Sequence, residues 1–154
     1  MVKKSYLSAA TIASISLSFL LGGCMAQPKT MQEAMYNKTA RESAKIILSE
    51  IKYPTKLSNG VLIENAYIDP NDDTMVVTVY KLKQPYSEKR KISYFGQKDI
   101  KTNPKIKKSV LTTCDTMYPF FQNGGKSKYI AKWSTGETAV EYVITQDVCD
   151  TLEE

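Results

Sequence analysis

The order of elements legible in this chain predicts an α+β domain, a four- or five-stranded antiparallel sheet with two main helices packed on one face. Two observations carry that prediction. Apolar residues recur at helical spacing after residue 31 and again after residue 103, and two pairs of alternating segments are each closed by turn-forming residues. Composition agrees, since 154 residues with 42% hydrophobic and 24% charged side chains describe one small folded unit.

The first segment is an address. Lys3 and Lys4 precede a run from Leu7 to Leu21 that is shorter than the roughly 20 residues a bilayer-spanning helix needs and has the form of a signal-peptide apolar region. Leu21-Gly22-Gly23-Cys24 closes the run and resembles the lipobox of bacterial lipoproteins. That resemblance implies a signal peptide over 1–23, acylation of Cys24, a polar tether over 24–30 and a single α+β periplasmic domain over 31–154. Met25 stands where the sorting rule of enteric lipoproteins reads an aspartate as an inner-membrane signal. The implied site is the bacterial outer membrane, lipid-anchored and facing the periplasm, with the lipid bilayer and the lipoprotein-sorting machinery as partners.

Acylation of Cys24 leaves Cys114 and Cys149 as an even pair in an oxidising compartment, so one disulfide is predicted between them. The chain has no histidine, which removes the usual general base and the commonest metal ligand. No catalytic residue, metal or cofactor is therefore expected. Asp69, Asp72 and Asp73 cluster, but without the spacing of a calcium-binding loop, and read as a solvated turn.

Thr30-Met31-Gln32-Glu33 has the form of a capping box, and no Gly or Pro follows until Pro54, so one helix is predicted from about Met31 to Ile51. Ala40, Ala44, Ile47 and Ile51 form its core-directed stripe. Val61 to Ile68 and Thr74 to Leu82 read as a hairpin about the Asp69-Pro70-Asn71-Asp72-Asp73 turn, and Lys91 to Phe95 as a further edge strand. Asn103-Pro104 caps a second helix with Ile106, Val110 and Cys114 at steps of four. Met117 to Phe121 forms a helical turn stopped at Asn123-Gly124-Gly125. Lys128 to Trp133 and Thr138 to Ile144 then form a second hairpin about Ser134-Thr135-Gly136.

The formal charge of +5 is unevenly spread. Residues 81–108 carry ten basic side chains against Glu88 and Asp99, while the rest of the chain after residue 23 carries nine basic and fourteen acidic ones. Such a band suits anionic head groups or an acidic partner, and export excludes nucleic acid.

Taken in order, the lipobox, the amphipathic helix, the hairpin, the basic linker, the helix with Cys114, the Gly124-Gly125 break, Tyr129 and Tyr142 in paired strands, and Cys149 resemble the β-type pilotins of type II secretion, the GspS-beta or AspS-like family. The resemblance implies a lipoprotein that binds the C-terminal segment of a secretin and targets it to the outer membrane. It also implies an apolar groove for an amphipathic helix. Tyr118, Phe120, Phe121, Tyr129, Trp133 and Tyr142 are the candidate groove residues. The alternative is an inhibitor, immunity or exclusion lipoprotein that binds another protein through its basic surface.

Overall fold

The computed structural model describes residues 28–58, 60–83 and 94–153. Six helices and five strands follow in the order α1 (Pro28–Met35), α2 (Ala40–Glu50), β1 (Thr55–Lys56), β2 (Leu62–Asp69), β3 (Asp72–Leu82), α3 (Asp99–Thr102), α4 (Pro104–Thr116), α5 (Tyr118–Gln122), β4 (Lys126–Trp133), β5 (Thr138–Ile144) and α6 (Gln146–Glu153). The α+β class is as the sequence predicts. The predicted signal peptide, Cys24 and residues 25–27 of the predicted tether lie outside the described residues, as do residues 84–93; residues 28–30 of that predicted tether belong to α1.

The predicted first helix is two helices. Asn37 takes a left-handed conformation at φ 60°, which ends α1. Thr39 then restarts the helix with a complete capping box. Its side chain accepts from the Glu42 amide at 3.2 Å, while the Glu42 carboxylate accepts from the Thr39 amide at 2.8 Å. The Thr-x-x-Glu signal that operates is therefore Thr39 to Glu42, not Thr30 to Glu33. The predicted stripe holds across the second helix, with Ala40, Ala44, Ile47 and Ile51 all buried.

The sheet runs in the order β1-β2-β3-β4-β5, so neighbours in space are neighbours in sequence. All pairs are antiparallel except β3 with β4, which is parallel. The exception corrects the all-antiparallel expectation, and its cause is the connection: helices α3 to α5 carry the chain back to the starting end of β3 before β4 begins. Tyr94 and Phe95 are the described part of the predicted Lys91–Phe95 strand, and Phe95 is the one that pairs. It bridges the outer edge of β5, donating to the Ala139 carbonyl at 2.9 Å and accepting from the Glu141 amide at 3.0 Å. Beyond it the Gln97 side chain bonds both backbone groups of Val143 at 2.7 Å, so this edge offers no free ladder.

One face of the sheet carries the core. Register places Val76, Thr78, Tyr80 and Leu82 of β3 beside Ser127, Tyr129, Ala131 and Trp133 of β4, all buried. They cluster with Ala44 and Ile47 of α2, Ile106 and Val110 of α4 and the aromatic pair Phe120–Phe121 of α5, except that Thr78 and Ser127 are polar members of the face. Alternate residues, among them Val77, Val79, Lys128 and Ile130, point to the opposite face. There Lys128 pairs with Glu141 of β5 at 3.0 Å.

Candidate functional site

Cys114 lies in the last turn of α4 and Cys149 in α6, and the two are joined by a disulfide with Cα atoms 5.8 Å apart. The bridge joins the two helices, not a helix and a strand end as the sequence order implied, because the chain after β5 forms α6. Sequence reasoning missed this helix, yet its signals are present. The Thr145 hydroxyl accepts from the Val148 amide at 3.3 Å as a cap, and Val148, Cys149 and Leu152 share its inward face.

Helix α6, held against α4 in this way, forms one wall of a cleft of about 530 Å³. Its lining includes Asp115, Tyr118, Gln122, Asp150 and Glu153 beside both cysteines, with no basic side chain. A second cleft of about 590 Å³ opens on the other side of Tyr118, lined by Tyr36, Lys38, Ala40, Pro119 and Asn123 among others. Tyr118, Gln122 and Asn123 belong to both, so the two clefts share a ridge. The ridge is held by local bonds. Gln122 donates to the Tyr118 hydroxyl, and the Asn123 side chain donates to the Lys38 carbonyl at 2.9 Å, tying α5 to the α1–α2 corner. Tyr118 is 50% exposed and Tyr36 69% exposed, giving two aromatic rings to solvent across one continuous surface.

Of the six residues assigned to a groove from sequence, Tyr118 lines both of these clefts and the other five line neither. Phe120, Phe121, Tyr129, Trp133 and Tyr142 are all buried at 4% exposure or less. They present no open groove because they belong to the hydrophobic core. Tyr129 and Trp133 occupy the inward positions of β4, and Tyr129 pairs across strands with Tyr142 at 5.4 Å between ring centroids and stacks on Tyr80 at 6.2 Å. Burial pushes the Tyr80 and Tyr129 phenols above their ordinary range, so this aromatic layer is neutral. Tyr36 is the residue that sequence reasoning missed, since an aromatic inside an uninterrupted helix gives no sign that the helix breaks beside it.

Two acids of the turn, Asp72 and Asp73, are ion-paired. Lys126 meets Asp72 at 2.6 Å and Arg41 meets Asp73 at 2.5 Å. The Lys126 ammonium and the Thr74 hydroxyl hold the Asp72 carboxyl down to about 2. Among the described residues no cluster of His, Cys, Asp and Glu has the makings of a metal site, and no helix is long and apolar enough to cross a membrane.

Fold and site together define a small disulfide-stapled α+β domain with a preformed surface cleft. No family model matches the chain, and no curated protein matches its sequence. Among solved structures it is similar to the pilotin EpsS from the Vibrio vulnificus type 2 secretion system. The likeness has 12% identity and a TM-score of 0.47, and covers 71% of this chain and 87% of that one.

Proposed function

We propose that the protein is a pilotin, an outer-membrane lipoprotein that binds the C-terminal segment of a secretin and directs it to the outer membrane for type II secretion. The observation that carries the reading is the paired cleft about Tyr118, walled by a helix that a disulfide fixes before any partner arrives. Preorganisation of this kind lowers the ordering cost of binding, and exposed tyrosines at the shared ridge and rim, beside the acidic side chains on α6, suit an amphipathic helical segment. The lipobox at Cys24 supplies location and the cleft supplies capture.

Deletion of the gene followed by localisation of secretin multimers tests the reading. Loss of outer-membrane multimers is expected, and unchanged multimers sink it. Tyr118→Glu, which puts a charge on the shared ridge, is expected to reproduce the deletion while leaving the domain folded. Cys24→Ala is expected to release the protein from the outer-membrane fraction, and continued fractionation there overturns the anchor.

A further inference from the structure

Five lysines of the basic band fall within eleven consecutive residues: Lys98, Lys101, Lys105, Lys107 and Lys108. They occupy α3 and its cap and the first two turns of α4, which packs directly on α3 across the Asn103 corner. All but the half-buried Lys107 are exposed. Three features separate this patch from an ordinary solvated face. None of the five joins an ion pair among the described residues, whereas Arg41, Lys126 and Lys128 each do. The acid within the run, Asp99, is occupied by the backbone, accepting from the Gly96 amide at 2.7 Å. And Lys105, Lys107 and Lys108 stand at the positive end of a 13-residue helix with no acid in its first turn, a placement that weakens the helix. Lys105, Lys107 and Lys108 therefore gain nothing from the dipole of α4, whereas Lys101 stands in the last turn of α3, where a cation is tolerated.

We propose that this patch docks an acidic polypeptide segment of a partner protein. Complementarity of charge names the chemistry of the occupant. The choice of a protein over a bilayer rests on the lipid-anchor reading above. Gln32 of α1 donates to the Asp115 carbonyl in the last turn of α4, so α1, the described element nearest Cys24 in sequence, meets α4 at the end opposite the lysines. Ten residues of helix separate Lys105 from Asp115, about 15 Å. A domain held at the Asp115 end turns its lysines away from the membrane.

The test titrates the full chain in neutral detergent micelles with a labelled twenty-residue poly-glutamate peptide. It compares Lys101→Gln/Lys105→Gln/Lys108→Gln with an equal charge change elsewhere, Lys45→Gln/Lys52→Gln/Lys56→Gln. The patch variant is expected to bind at least tenfold more weakly and to lose most of the salt dependence, while the control loses less than threefold. Its melting temperature is expected to equal or exceed that of the wild type, which separates lost binding from lost folding. Equal losses in the two variants overturn the proposal, since net charge then suffices. In vesicles at the salt concentration of the micelle titration, affinity for the peptide is expected to change less than threefold when phosphatidylglycerol is added to zwitterionic lipid. A tenfold loss confined to the anionic vesicles and abolished by the patch substitutions assigns the surface to lipid and overturns the proposal. The micelle titration involves no bilayer, so failure of the anchor reading shows separately, in fractionation of Cys24→Ala.

Discussion

Reducing the Cys114–Cys149 bridge isolates the contribution of one covalent link to a domain with a small core. The bridge closes a loop of 35 residues. In the chain-entropy account that closure removes about 13 cal/mol/K from the unfolded ensemble, or about 3.8 kcal/mol at 25 °C. Spread over a folded unit of roughly 125 residues, whose unfolding entropy is about 2.1 cal/mol/K per residue, this corresponds to a fall of about 14 °C in melting temperature. The comparison to make is oxidised against reduced wild type in urea, because reduction keeps both sulfur atoms in their buried places and changes only the link. The reduced protein is also expected to show a larger urea dependence, since its unfolded chain exposes more surface. Hydrogen exchange locates the effect, with α6 amides losing protection first because that helix has the bridge as its covalent hold on α4. A stability difference below about 1.5 kcal/mol with unchanged urea dependence refutes the reasoning.

Three further perturbations probe the local arguments. A Cβ at Gly125 lies 2.2 Å from the Phe120 ring, so Gly125→Ala is expected to cost about 1–3 kcal/mol in urea unfolding as the buried ring is forced aside. Thr39→Ala removes the cap that restarts the helix after Asn37 and is expected to cost about 1 kcal/mol, read by the same measurement. The folded Asp72 carboxyl sits near 2, below its ordinary 3.8, so its contribution is present above about pH 4 and is lost as pH falls toward 2. Because Lys126 and Asp72 are partly exposed, screening limits that contribution to about 1 kcal/mol or less, and Asp72→Asn is expected to flatten the stability profile across this window.

The elements easiest to read from sequence were those where local and tertiary signals agree. Asn103 followed by Pro104 fixes the start of α4, with the Asn103 side chain accepting from the Lys105 and Ile106 amides. Alternation through β4 is complete, and its buried positions are those the pattern implies. The break at Asn37 was illegible because it depends on one residue entering a left-handed conformation, and the downstream Thr39 box looks no stronger in sequence than the Thr30 box before it. The parallel β3–β4 pairing was likewise hidden, since it depends on where three helices return the chain and not on any residue in either strand.

The site was less legible than the fold for a reason that lies in the aromatic residues themselves. Phe120, Phe121, Tyr129, Trp133 and Tyr142 are large and apolar, and a partner groove and a domain core both require such side chains. Only sheet parity and helix packing decide between the two uses, and here they direct all five inward. Tyr118 escapes because it begins the Tyr-Pro-Phe-Phe turn, where a short helix buries its second to fourth residues and leaves its first on the surface. The disulfide then turns a packing detail into a surface feature. By fixing α6 beside Tyr118 it sets acidic side chains along one end of α4, while the unpaired lysines stand at the other. One helix thus separates two surfaces of opposite charge, and if each docks a partner as proposed, a substitution at either end is expected to affect one binding event without disturbing the other, since the two ends lie more than a Debye length apart at physiological salt.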